Sequence, residues 1–335
     1  MSRIRSVEGA RGIAALMVFS FHLRTQSRGQ LGPLDWVLGR CWLGVTFFFV
    51  LSGFLLYRPF ITGTVPLRRY FAHRFARIVP AYWFALIVVI AAFPAGLPHT
   101  LWPNFLFLQH DYGSHPDWII LPAWTLCIEV TFYLALPVLA IVLRGSPWRI
   151  GLLIPAGFVY MAIAKHEHVP LRTLGDAIGL FACGMLAAVA YERGWVRMPL
   201  RVGAALGVVG LASFDRFGGW QVNALAELLM AGFFASVVLA IARGRLAVFS
   251  WRPLVGLGTI SYGFYLWHLP LIWHVPLFIG RVGFFLDFVL VLLVTASVAT
   301  FSWYAVERPA IWFVRWFPNR RRERHALTAL PAAAD

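Results

Sequence analysis

The feature that most limits what this chain can fold into is the recurrence of apolar runs of about 17 to 25 residues, separated by arginine clusters. Such runs can be read at 8–24, 41–62, 79–97, 121–143, 150–165, 172–191, 201–217, 221–242, 254–279 and 283–306. A helix of about 20 residues matches the thickness of the hydrocarbon layer and satisfies its own backbone there. The pattern therefore predicts an all-α, polytopic integral membrane protein with about ten transmembrane helices. Composition agrees, because charged residues are only 13% of the chain against roughly 25% in ordinary soluble domains. The first run is the most polar, being interrupted by Glu8 and Arg11. Alone it resembles a signal-peptide core, but no small-residue cleavage site follows before Arg24, so a retained helix is expected.

The net charge of +15 is distributed among the loops instead of forming one patch, which argues against nucleic acid as a partner. With the N-terminus inside, 21 Lys and Arg fall on the cytoplasmic side and seven outside, with Arg11 in the first span. This positive-inside bias predicts that both termini are cytoplasmic and that the protein is a multi-pass component of the cell membrane. Residues 1–317 read as one integral membrane domain. Residues 318–335, which include Arg320-Arg-Arg-Glu-Arg324, read as a basic, disordered cytoplasmic tail beside anionic lipid. Cys41, Cys127 and Cys183 have neither metal nor disulfide spacing and are expected to pack in apolar surroundings. The outer loop 98–120 carries His99, His110, Asp111, His115 and Asp117. Their scattered spacing suits a solvated mouth or acceptor contacts better than a metal site, and no metal is expected.

In such a chain, function is sought at the few polar residues within apolar runs, because a charge in hydrocarbon costs about 2.5 kcal/mol or more. Glu129 is one of them, with Tyr133 one helical turn further on. Arg11 and His22 are eleven residues apart, which on a helix places them on nearly the same face about 16 Å apart along the axis. Histidine suits general-base work, since its ordinary pKa is near neutrality; the arginine stays charged and can stabilise anions. Glu8 is a natural ion partner for Arg11 at i, i+3. Arg74 and Arg77 lie one turn apart just before an apolar helix, where paired guanidinium groups suit phosphate, although topology alone also favours arginine there. Ser261, Tyr265 and His268 fall at i, i+4 and i+7 and give one helix a polar face, with Pro270 loosening the helix beyond them. Ser261 lacks a nucleophile context and reads as a hydrogen-bonding residue. Asp176, Glu227 and Asp287, near the outer helix ends, either line a polar cavity or pair with Arg172, Arg216 or Arg281.

Taken together, the segments resemble the membrane-bound acyltransferase 3 family of acyl-CoA-dependent O-acyltransferases, which modify surface polysaccharides and some antibiotics. The resemblance runs from Glu8 to Pro309 and rests on six features in order. These are Arg11 with His22, Gly44-Val-Thr-Phe-Phe-Phe-Val-Leu-Ser-Gly-Phe-Leu55, Arg74-Phe-Ala-Arg-Ile-Val-Pro80, Trp124-Thr-Leu-Cys-Ile-Glu-Val-Thr-Phe-Tyr133, Ser261-Tyr-Gly-Phe-Tyr-Leu-Trp-His268 and Val306-Glu-Arg-Pro309. Glu8 and Thr125 stand where the family commonly has Asp and Ser, replacements that keep the chemistry. Many relatives carry an esterase-like extracytoplasmic domain; none is read after the last span, so the acceptor stays open and any such partner enzyme is expected to be a separate chain.

The resemblance implies a catalytic pair of His22 and Arg11, with His22 as base or acyl carrier and Arg11 as charge stabiliser; Glu129, the acid in the apolar run, is expected to complete the catalytic set. It implies that Arg74 and Arg77 meet the phosphates of coenzyme A, while Trp124, Tyr133, Ser261, Tyr265 and His268 are expected to contact substrate or orient His22. Acyl-CoA is then the donor substrate and no bound cofactor is needed. The acceptor is a glycan or a glycosylated small molecule. A transporter or flippase for a lipid-linked sugar is the competing reading, since the same charges could line a pathway. No pair of matching Gly/Pro-broken segments suggests the inverted repeat that would favour it.

Overall fold

The computed structural model describes residues 5–27, 31–63, 65–94, 97–98, 100–109, 118–166, 173–195, 200–214, 220–274 and 284–316. The loop residues His99, His110, Asp111, His115 and Asp117, the arginines 172, 216 and 281, and the tail 318–335 lie outside the described residues. Among the described residues the fold is entirely helical, without a strand. The principal helices are α1 (Arg5–Arg24), α2 (Gly44–Thr62), α3 (Leu67–Ala92), α4 (Trp124–Leu143), α5 (Leu153–His166) and α6 (Leu174–Glu192). They are followed by α7 (Leu200–Ser213), α8 (Trp220–Ala242), α9 (Arg252–Thr259), α10 (Ser261–His274) and α11 (Phe284–Ser302).

Among the described residues, seven helical stretches are long and apolar enough to cross a membrane: Pro33–Thr62, Leu67–Ala92, Leu121–Leu143, Pro147–Ala164, Leu174–Glu192, Gln221–Ala242 and Phe284–Trp316. The other three expected spans differ for separate reasons. Helix α1 is 20 residues long but polar, α7 is short, and the stretch read as 254–279 divides into α9 and α10 on either side of Ile260. Pro270 lies inside α10, which continues to His274. The outward faces are apolar, as lipid contact requires. On α4, Leu134, Val138 and Ile141 follow the helical repeat and are 62%, 63% and 70% exposed.

Helix α3 departs from the sequence expectation at its start. It begins at Leu67 and not near residue 79, so Arg74 and Arg77 lie within it and not ahead of it. Leu, Arg and Ala are good helix formers, and Pro66 stands just outside the first turn. Pro80 is accommodated inside the helix. In the turn beside it, the Tyr262 hydroxyl donates to the Ile78 carbonyl at 2.9 Å and ties α10 to α3.

Close backbone approach organises the centre. A Cβ at Gly53 would overlap the Phe181 carbonyl, and one at Gly184 would overlap that of Val50, so α2 and α6 meet through reciprocal glycines. Gly258 of α9 lies similarly against the Glu8 backbone of α1. Helix α1 is thereby held among α2, α9 and α10, with its polar face inside the bundle. After Ser302, α11 passes through a π-helical turn, Trp303–Glu307, which carries Glu307 into the interior.

Candidate active site

Helix α1 ends with His22 beside His268 of α10. His268 Nδ1 lies 2.6 Å from the Tyr265 carbonyl oxygen, which can only accept, so in the neutral ring Nδ1 carries the proton and Nε2 the lone pair. His268 Nε2 is 3.1 Å from His22 Nδ1, which is also 3.0 Å from the Val18 carbonyl. Both neighbours are acceptors. The hydrogen-bond pattern therefore assigns the proton of neutral His22 to Nδ1 and leaves Nε2 as its basic atom. His22 lines a cavity of about 380 Å³ that also holds Trp42, Trp124, Tyr265, Asp176 and Glu227.

Arg11, three turns earlier on α1, faces a second, smaller chamber of about 40 Å³ with Ser52, Thr125, Glu129, Ser261 and Tyr265. Its Nε donates to Ser261 Oγ at 3.3 Å. Glu129 Oε1 accepts from Ser52 Oγ at 2.9 Å and from the Tyr133 hydroxyl at 2.5 Å. The carboxylate that stood out in the apolar run is thus held by two hydroxyls, one from α2 and one from its own helix. Tyr265 borders both chambers, with its hydroxyl 2.9 Å from Thr125 Oγ1 and 3.1 Å from the Pro122 carbonyl. Arg11 and His22 share a face of α1, as their spacing implied, but occupy neighbouring chambers and do not touch. The i, i+4, i+7 face of α10 supplies a contact to each level: Ser261 to Arg11, Tyr265 to the partition and His268 to His22.

At the far end from His22 lie the two α3 arginines. The Arg74 guanidinium is 5.7 Å from the Tyr133 ring and that of Arg77 is 5.6 Å from the Trp303 ring. Glu307 is wholly buried, and neither of its carboxylate oxygens has a hydrogen-bond partner. Arg77 and Arg11 are the cations that act on it. Gly263 makes room for it, since a Cβ there would lie 3.0 Å from Glu307 Oε1. Sequence reasoning quoted Glu307 within a motif but gave it no role. The signal that singled out Glu129, a carboxylate in an apolar stretch, applied equally to Glu307.

The outer acids are placed by local structure and packing. Asp176 completes a capping box at the start of α6 with Thr173, and Glu227 accepts a 2.6 Å hydrogen bond from Thr46. Asp287 is buried in the first turn of α11. Cys127 and Cys183 are buried free thiols, and Cys41 is a partly buried one. Among the described residues no group of three or more His, Cys, Asp or Glu side chains is arranged to hold a metal ion. What the arrangement offers is an oriented imidazole in a largely apolar cavity that also holds two carboxyl groups, backed by charged residues on the side of the arginine pair.

Comparison with known proteins gives this arrangement a family. The chain is 31% identical over 241 residues to the exopolysaccharide production protein ExoZ of Rhizobium meliloti, a match covering 67% of this chain and 74% of that one. It is 26% identical over 317 residues to the peptidoglycan O-acetyltransferase OatA of Listeria monocytogenes, covering 80% of this chain and 49% of OatA. Nodulation protein 10 of Rhizobium leguminosarum bv. viciae is 26% identical over 314 residues, with 80% and 82% covered. The chain thus spans about half the length of OatA. No solved structure matches it. The family model described as an acyltransferase domain matches residues 4–307. Because that match runs from the foot of α1 to the buried Glu307 and takes in every part of the site, this multi-pass membrane protein belongs to the acyltransferase domain family.

Proposed function

We propose that this protein is a membrane-embedded O-acyltransferase that moves an acyl group, acetyl in the simplest case, from acyl-CoA to a hydroxyl of a glycan or glycosylated metabolite. The observation that carries the reading is His22, whose Nδ1 is committed to acceptors and whose Nε2 is left as a base in a cavity large enough for a substrate. Ligand sites commonly occupy about 300–1,000 Å³. His22 Nε2 takes the proton of the acceptor hydroxyl as its oxygen attacks the thioester carbonyl. The tetrahedral intermediate expels the coenzyme A thiolate, which recovers the proton from His22. In the acyl-carrier variant, Nε2 attacks the thioester carbonyl and expels the coenzyme A thiolate; the acceptor hydroxyl then displaces the acyl group from the ring and its proton passes to the thiolate.

Arg74 and Arg77 meet the coenzyme A phosphates on the cytoplasmic side, and the pantetheine arm extends past Arg11 and Glu129 toward His22. Arg11, steadied by Ser261, supplies positive charge on the donor side of the Tyr265 partition. Glu129, Tyr133, Tyr265 and His268 hold these groups in place, and Trp124 borders the acceptor space. The positive-inside bias supports ten crossings with both termini in the cytoplasm. The names of the OatA and ExoZ relatives support a surface polysaccharide as the acceptor.

The test is acyl transfer by purified protein in detergent, without a membrane gradient, with acceptor-dependent release of coenzyme A followed by a thiol reagent. Blank reactions control for the three native cysteines. The expected result is release by the native protein and loss of release in His22→Ala. If no hydroxylated acceptor releases coenzyme A while reconstituted vesicles move a lipid-linked sugar, transport replaces transfer.

A further inference from the structure

Two acids that the proposed reaction does not use, Asp176 and Glu227, line the same cavity as His22. They reach it from different helices, α6 and α8. Asp176 sits in the first turn of α6, where its Oδ1 accepts from the Thr173 amide and hydroxyl, a position that suits a negative charge at a helix start. Glu227 is fixed by Thr46 Oγ1, which donates to Oε1 at 2.6 Å. The two acidic side chains are close enough to act on one another electrostatically. No basic side chain other than His22 lines the cavity among the described residues. Trp42 and Trp124 add flat apolar surface to the same enclosure.

We infer that Asp176 and Glu227 set acceptor specificity: they take a sugar ring through its hydroxyl or ammonium donors and exclude anionic sugars such as uronic acids. This rests on reading the His22 cavity as the acceptor site. Carboxylates accept hydrogen bonds in fixed directions and bind donors more strongly than neutral acceptors do. The indole faces suit the C–H face of a pyranose, so the ring is gripped by both its apolar and polar sides. At about 380 Å³ the space suits one ring and its substituents better than an oligosaccharide. A carboxylate on the substrate would meet two acidic side chains in a partly desolvated enclosure, where repulsion is less screened than in water.

The test is calorimetric binding of the methyl glycosides of glucose, glucosamine and glucuronic acid to the full-length protein in detergent, without acyl-CoA. The glucoside and glucosaminide should bind, and the glucuronide about 10- to 100-fold more weakly, as befits a lost charged hydrogen bond and added repulsion. Glu227→Gln should narrow this gap, because the amide no longer repels a carboxylate; Glu227→Asp, which restores the charge, should keep most of it. Equal binding of glucuronide and glucoside by the native protein overturns the inference, as does an unaltered gap in Glu227→Gln or no binding of any of the three. The native comparison needs no variant to fold. Binding with the expected discrimination but no coenzyme A release under any condition sinks the transferase reading and leaves this one standing. Acyl transfer to a glucuronide as fast as to a glucoside does the reverse.

Discussion

His268 Nε2 lies 3.1 Å from His22 Nδ1, joining two residues 246 positions apart in the chain. The contact does more than pack two rings, because His268 is itself held by the Tyr265 carbonyl and so dictates which nitrogen of His22 stays basic. In the proposed reaction His268 acts as a positioning residue. His22→Ala should lower the rate of coenzyme A release by about 10²- to 10⁴-fold, the usual contribution of a general base. His268→Ala should lower kcat by about 10-fold or more with a smaller change in acceptor KM. Groups that act as a unit are not additive, so the double variant should be no slower than His22→Ala alone. Full multiplicative loss in the double variant would show that the two histidines act independently.

Arg11→Lys should lose most of the activity, since an ammonium cannot reproduce the planar guanidinium that Ser261 steadies through Nε. Ser261→Ala should cost only about fivefold, in line with one net hydrogen bond of ~1 kcal/mol. Steady-state kcat/KM for both variants checks this order. A fully active Arg11→Lys protein would reduce Arg11 to a topological charge.

Glu129 accepts from Ser52 and Tyr133, and Glu129→Gln keeps an oxygen for those hydroxyls while removing the charge. Turnover in detergent should fall severely, by about 100-fold or more, the scale reported for groups that set transition-state electrostatics. Ser52→Ala should be far milder because the carboxylate remains. Rates of acceptor-dependent coenzyme A release distinguish a role for the charge from one for the hydrogen bonds.

Arg74→Ala combined with Arg77→Ala should raise KM for acyl-CoA by about 10- to 100-fold and alter acceptor KM much less, through loss of charge-assisted phosphate contacts. Initial rates across both substrate concentrations separate the two constants. An effect confined to the acceptor would leave the arginines with topology alone.

Gly53→Ala and Gly184→Ala each push a Cβ into a backbone carbonyl at the crossing of α2 and α6. Overpacking of this kind costs about 1–3 kcal/mol. Both variants should unfold at a lower temperature in detergent than Gly151→Ala, where an added Cβ meets nothing within 4 Å.

Much of this protein could be read from the chain because the bilayer imposes a local rule. A helix crossing lipid must be apolar along its own length, so the membrane class, the helical content and the position of Arg11, His22 and Glu129 as polar residues within apolar runs are visible residue by residue. The polar face of α10 was legible for the same reason, since i, i+4 and i+7 are fixed by helix geometry alone. The start of α3 was not, because lipid hydropathy marks where a helix is apolar and not where it begins. Tertiary packing decided the rest. Only the docking of α10 against α1 brings His268 to His22, and only the π-turn after α11 carries Glu307 in toward Arg77 and Arg11. The gathering of Asp176 and Glu227 around the His22 cavity likewise depends on how α6 and α8 pack. These contacts join residues far apart in sequence, and nothing in hydropathy or helical period specifies which polar face meets which.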